Sequence, residues 1–173
     1  VGGIALVFVL ETFEARLYTA DQIEIVTELV PIGKVPIFSN KGLLLSQNGN
    51  LKIRYTLFKE SFRRLQSRLI NQFNEMASDK TKTLLFTSAL PSEGKSTIVS
   101  NLAIAFAQAG KKTLVVDCDL RIPTQHKILG LPNREGLSDV LNRHSNPEDV
   151  IQKTRYNEMY LMTSGSLPQN PTE

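Results

Sequence analysis

The stretch from Thr83 to Ala109 constrains the fold of this chain more than any other. Thr83-Leu84-Leu85-Phe86-Thr87-Ser88 is β-branched and apolar and reads as a strand. It runs into Ala89-Leu90-Pro91-Ser92-Glu93-Gly94-Lys95-Ser96-Thr97, and a helix-compatible run from Ile98 to Ala109 follows at once. Strand, tight loop ending Gly-Lys-Ser-Thr, then helix is the context that separates a phosphate-binding P-loop from a chance match. Successive backbone N–H groups and the helix N-terminus present partial positive charge to phosphate oxygens. Gly94 is expected to keep side-chain atoms out of the way, Lys95 to reach the β- and γ-phosphates, and the Ser96 hydroxyl to ligate Mg²⁺. The first glycine of the usual pattern is Ala89 here. The plain alternative is a surface turn whose Lys95 is merely solvated.

Beyond Gly110, which is expected to stop the helix, Thr113-Leu114-Val115-Val116-Asp117-Cys118-Asp119 is a continuous apolar run closed by acids. Such a run predicts a strand buried on both faces of a parallel sheet, with Cys118 as a small, inert core residue. Asp117 and Asp119 stand at its carboxyl end, where open α/β sheets bind ligands. Residues two apart on a strand point to one side, so both carboxylates are expected to face one Mg²⁺–phosphate centre. Arg121 follows two residues later. The alternative is that the acids only solvate the strand's end and pair with Arg121.

These two motifs, Ala89-x-Pro91-x-x-Gly94-Lys95-Ser96-Thr97 and Leu114-Val115-Val116-Asp117-x-Asp119-x-Arg121, resemble the bacterial tyrosine kinases of capsular and exopolysaccharide biosynthesis. So do Pro123-Thr124-x-His126, Leu129-Gly130-Leu131-Pro132-Asn133, Gly136-Leu137-Ser138-Asp139-Val140-Leu141 and the ending Thr163-x-Gly165-x-Leu167-Pro168-x-Asn170-Pro171. The resemblance covers essentially the whole chain. It implies an α/β, P-loop NTPase-like fold: a mostly parallel sheet flanked by helices, cut before its later core strands, with a membrane-helix remnant at its N-terminus. It implies ATP over Pro91, Ser92, Glu93, Gly94, Lys95, Ser96, Thr97 and Arg121. Mg²⁺ would be held by Ser96, Asp117 and Asp119, and catalysis carried by Lys95, Asp117 and Asp119. The partners implied are a ring of identical subunits, a tyrosine-containing tail on the neighbouring subunit, the membrane, and the polysaccharide polymerisation and export machinery. The implied location is the cytoplasmic face of the bacterial cell membrane. A later strand with a Mg²⁺-organising Asp, and the tyrosine-rich tail, would lie downstream of Pro171, so the chain reads as a fragment.

Composition limits the other classes. A net charge of +3, with 20 basic residues dispersed along the chain, gives no reason to expect nucleic acid as a partner. One cysteine excludes a disulfide framework and fits a reducing compartment. His126 and His144 are the only histidines, and no zinc-ligand spacing occurs.

The N-terminal third reads as a connection. Val1-Gly2-Gly3-Ile4-Ala5-Leu6-Val7-Phe8-Val9-Leu10 is uncharged but shorter than the roughly 20 apolar residues that span a bilayer. It is either a buried element or the C-terminal end of a membrane helix over 1–10; no basic region precedes it, as a signal peptide would require. Residues 11–50 are expected to be a juxtamembrane segment and linker, and 51–173 the kinase domain. Thr19-Ala20-Asp21-Gln22 carries a capping-box pattern, with the helix ending before Pro31. Ser39 to Asn50 reads as a loose linker.

From about Tyr55 to Met76, Phe58, Phe62, Leu65, Leu69, Phe73 and Met76 recur at helical spacing and predict a core-facing stripe. Glu60, Arg63, Arg64 and Arg68 lie on its first half. The resemblance implies an intersubunit role for Glu60 and Arg63 through a Glu-x-x-Arg-x-x-Arg pattern, although Gln66 replaces the third position. Further on, Gly136 to Leu141 predicts a short helix, Asn146-Pro147-Glu148-Asp149-Val150-Ile151 another, and Met159 to Thr163 a core strand. Two further functions compete with the kinase. One is a partitioning- or assembly-type ATPase, against which stands Leu90 where such proteins carry a lysine. The other is a non-catalytic chain-length regulator.

Overall fold

The computed structural model describes residues 19–36, 50–75 and 81–166. The chain divides into two units, Val1–Lys34 and Val35–Glu173. The expectations for Val1–Leu10, for most of the linker from Ser39, for Met76 and for Leu167–Pro171 fall outside the described residues.

In the first unit, helix α1 spans Ala20–Thr27. Its start is the expected capping box: the Gln22 N–H donates to Thr19 Oγ1 at 3.3 Å. The Thr19 N–H donates back to Gln22 Oε1 at 3.2 Å. It ends at Glu28, in the left-handed region, before Pro31. Among the described residues no helix is long and apolar enough to cross a membrane.

The second unit is built around one helix used on both sides. Helix α2, Asn50–Glu75, begins five residues before the expected start and presents Phe58, Phe62 and Leu69, all buried, as its apolar stripe. The Phe58 and Phe62 rings meet edge to face at 5.0 Å. This stripe packs on Leu102 and Ala105 of α3, Lys95–Gln108. From the other side of α3, Ala103 and Ala107 meet Val115, Met159 and Leu161. Small residues on both faces let α3 lie close to its neighbours, and burial of the large side chains on either side stabilises the layers by roughly 1.5–3 kcal/mol each. The helix stops as expected. The Gly110 N–H donates to Ala107 O at 3.0 Å and the Lys111 N–H to Phe106 O at 3.0 Å, a Schellman closure.

Strands β1 (Thr113–Val116), β2 (Ile151–Lys153) and β3 (Met159–Met162) form one sheet in the order β1-β3-β2. β1 runs parallel to β3, Thr113 opposite Met159 and Val116 opposite Met162, while β2 is antiparallel to β3. The sheet is therefore mixed. Helices α4 (Gln125–Leu129) and α5 (Leu137–Leu141) lie in the connection between β1 and β2.

Four sequence expectations are corrected. Thr83–Ser88 is not a strand. Among the described residues it has no ladder partner, and while Phe86 packs into the α2–α3 core, Leu85 is 89% exposed. β1 is not buried on both faces: Val115 packs on Ala103 and Ala107, but Leu114 and Val116, which alternate with it onto the opposite face, are exposed. Cys118 is exposed rather than in the core, since the strand ends two residues earlier. Asn146–Val150 makes a turn, held by the Asp149 N–H on Asn146 O at 3.1 Å, because the chain must enter β2 at Ile151.

The exit of β3 is latched to the start of α5. Leu137 and Ser138 N–H groups donate to Thr163 O and Ser164 O at 2.8 and 2.9 Å. Asn133 accepts from the Gly165 N–H and donates to Gly165 O, both at 3.1 Å. Gly165 has φ +79°, and a Cβ there would strike the Asp139 carboxylate. Asp139 is buried; its Oδ2 accepts from Gly136 N–H at 2.8 Å and Ser166 N–H at 3.3 Å. Burial pushes the Asp139 carboxyl up, but those N–H donors outweigh it and the pKa lies below the ordinary value. A depressed carboxyl pKa contributes stability above the unfolded-state value and loses it as pH falls through the folded one. Asp139→Asn is therefore expected to lower neutral-pH stability by about 1–3 kcal/mol, with thermal unfolding curves of variant and parent converging in acid.

Candidate active site

The loop before α3 is shaped by two left-handed residues, Ser92 at φ +66° and Gly94 at φ +86°. Alternation of this kind turns successive N–H groups toward one concavity. Gly94 is the N-cap of α3, and no side chain caps it, so the first-turn amides remain available. A Cβ at Gly94 would meet no protein atom within 4 Å. Within the protein the glycine is thus favoured by its dihedral angle. The loop's entry is pinned by its own side chains: the Leu90 N–H donates to Glu93 Oε2 at 3.1 Å. Ser88 Oγ donates to Leu90 O at 3.1 Å.

The acidic motif lies beside this loop. Lys95 Nζ is 3.6 Å from Asp119 Oδ2, a partly exposed ion pair that joins the first residue of α3 to the loop after β1. The other Asp119 oxygen accepts from the Ile122 N–H at 2.9 Å and the Arg121 N–H at 3.3 Å, which fixes the carboxylate's aim. Arg121 is exposed, and the motif's ion pair is to Lys95 rather than to Arg121.

Asp117 has a different environment. It is 5% exposed. Its Oδ1 accepts from the Asp119 N–H at 3.2 Å, and its Oδ2 accepts from the Thr124 and Gln125 N–H groups at 3.1 and 3.0 Å. Thr124, the N-cap of α4, makes no side-chain cap bond, and Asp117 supplies it from seven residues upstream. The two acids have different partners: Asp117 accepts from backbone N–H groups, whereas Asp119 Oδ2 faces the Lys95 ammonium. Cys118 sits between them, exposed at the surface; the desolvation it does undergo and the Asp117 charge both push its thiol up.

Gln125 was not singled out by sequence reasoning. Its Nε2 donates to Ser96 O at 3.1 Å, across 29 residues of chain. Nothing in local spacing marks such a contact. Glu60 and Arg63 lie on α2, where Glu60 pairs with Arg63 and Arg64, each at 3.7 Å, along its own helix.

An open depression of about 1780 Å³ runs from Lys95, Ser96, Asp119 and Gln125 along the uncovered side of β1. Its polar end fits a polyphosphate with a divalent cation. Uncapped amides and an ammonium offer donors to phosphate, while a hydroxyl and a carboxylate offer hard oxygen donors to a cation.

Residues 85–160 match the CobQ/CobB/MinD/ParA nucleotide binding domain family. Over 110 residues the chain is 44% identical to the tyrosine-protein kinase YwqD of Bacillus subtilis, covering 62% of this chain and 46% of that protein. The chain spans about half the length of the first curated relatives it matches. Among solved structures, the chimerical protein CapA2B2 superposes with a TM-score of 0.67 at 38% identity, over 88% of this chain and 63% of that one. The BceF tyrosine kinase domain superposes with a TM-score of 0.72 at 28% identity, over 90% and 65%. Sequence, fold and loop geometry agree: the fold is P-loop NTPase-like, and over the matched residues the chain is similar to bacterial tyrosine kinases.

Proposed function

We propose that this chain is the nucleotide-binding part of an ATP-dependent protein-tyrosine autokinase that regulates capsular or exopolysaccharide synthesis and export. The observation that carries the reading is the 3.6 Å approach of Lys95 to Asp119. It puts a phosphate-seeking cation and a carboxylate at one point, between an uncapped helix start and a strand end.

ATP is assigned to Pro91–Thr97 with Arg121 alongside. Lys95 stabilises the charge that develops on the transferred phosphoryl group. Mg²⁺, when bound, neutralises phosphate charge, and Ser96 and Asp119 are the residues that would hold it. Asp119 is also the group to orient the tyrosine hydroxyl and take its proton. Asp117 serves at one remove: its oxygens are occupied by three N–H groups, and it holds Asp119 and α4 in place. Glu60 and Arg63 are assigned to contact a neighbouring subunit in a ring, whose tyrosine-containing tail is the acceptor. The membrane's cytoplasmic face and the polysaccharide machinery complete the reading.

Incubating the intact protein with ATP and Mg²⁺ is expected to produce phosphotyrosine. ATP hydrolysis without phosphotyrosine would replace this reading with an ATPase switch, and ATP binding with neither product would leave a scaffold.

A further inference from the structure

We propose that Gln125 is a positioning residue of the nucleotide site, setting the separation of Ser96 and Asp119 by tying the acidic loop to the first turn of α3. The inference rests on the nucleotide reading given above and adds a residue to it.

The contacts form a closed circuit. The Asp119 N–H donates to Asp117 Oδ1, and Asp117 Oδ2 accepts from the Gln125 N–H. The Gln125 side chain donates to Ser96 O. Ser96 adjoins Lys95, and Lys95 returns to Asp119. Two polar links in this circuit therefore cross from the acidic segment to α3: the Lys95–Asp119 pair and the Gln125–Ser96 bond. The first is partly exposed and weak. It is weakened further when Lys95 serves a phosphate, since one ammonium then divides its charge between two anions. The second is shielded, because Gln125 is 4% exposed. It touches the backbone carbonyl of Ser96 and leaves the hydroxyl free to face a cation.

The amide's presence has a cost that the tie explains. Gln125 Oε1 is buried with no hydrogen-bond partner, as are Thr124 Oγ1 and His126 Nδ1 on either side. An apolar side chain of equal length would fill the same space without stranding an oxygen. The bond to Ser96 is what the amide adds at this position. With both ends held, Ser96 and Asp119 form a preset pair for a cation, and the predicted consequence is confined to the cation-dependent part of nucleotide affinity.

The test is titration calorimetry of ATP into the intact protein, with Mg²⁺ and with a chelator, for the parent, Gln125→Met and Gln125→Leu. Both variants are uncharged and apolar and lose the donor, and methionine also keeps the side chain's length. The expected result is about a tenfold loss of ATP affinity in Mg²⁺, the scale of one hydrogen bond, and less than about twofold in chelator. Equal losses in both conditions, or none in either, would overturn the proposal. Should both variants fail to fold, the Gln125 side-chain amide NMR signals of the parent decide. They must move when Mg²⁺ is added to ATP-loaded protein, and unmoved signals overturn the proposal. A parent protein that binds no ATP in either condition would instead overturn the nucleotide reading itself.

Discussion

Lys95→Met in the intact protein is expected to lower tyrosine phosphorylation by about 10²–10³-fold, the usual loss when one donor to transition-state charge is removed. Methionine keeps most of the side chain's length and removes only the ammonium. The fold should be indifferent: the Lys95–Asp119 pair is partly exposed, and pairs of that kind contribute roughly 0–1 kcal/mol. Phosphotyrosine labelling and thermal unfolding, read on the same preparations, separate the two effects. Undiminished labelling would end the kinase reading.

The two aspartates should separate in the same way. Asp117→Ala is expected to destabilise the protein by about 2–4 kcal/mol, because it strands the N–H groups of Asp119, Thr124 and Gln125 and removes the cap of α4. Asp119→Asn should leave stability within about 1 kcal/mol and lower phosphorylation by roughly 10²-fold, as expected for a lost catalytic proton acceptor. Denaturant unfolding and phosphotyrosine labelling of both variants check this. The reverse pattern, Asp119 governing stability and Asp117 governing turnover alone, would refute the assignment of roles.

Much of this arrangement was legible in the sequence, and the exceptions have a common cause. Thr19-x-x-Gln22, Gly110 after α3, and the Phe58–Phe62–Leu69 stripe are local patterns whose geometry is fixed within a few residues. Val115 and Met159–Met162 were readable as strand for the same reason. Thr83–Ser88 failed because a strand is a relation between two segments, and the composition of one carries no record of its partner. The turn at Asn146–Val150 failed because β2, starting at Ile151, overrides a local helix start. Asp117's capping of α4, the Gln125–Ser96 bond and the Asn133–Gly165 latch span 7, 29 and 32 residues. Contacts at such separations are set by topology, which residue spacing does not encode.

The central claim is that the P-loop amides and the Asp119 carboxylate serve one nucleotide-bound cation. Mn²⁺ substituted for Mg²⁺ with ADP tests it directly, since its unpaired electrons broaden the NMR signals of nearby amides. Broadening of Ser96 and Thr97 together with Asp119–Arg121, while Ile151–Lys153 stay sharp, is the predicted result. Sharp signals from Asp119 and Arg121 in protein whose P-loop amides are broadened would contradict it.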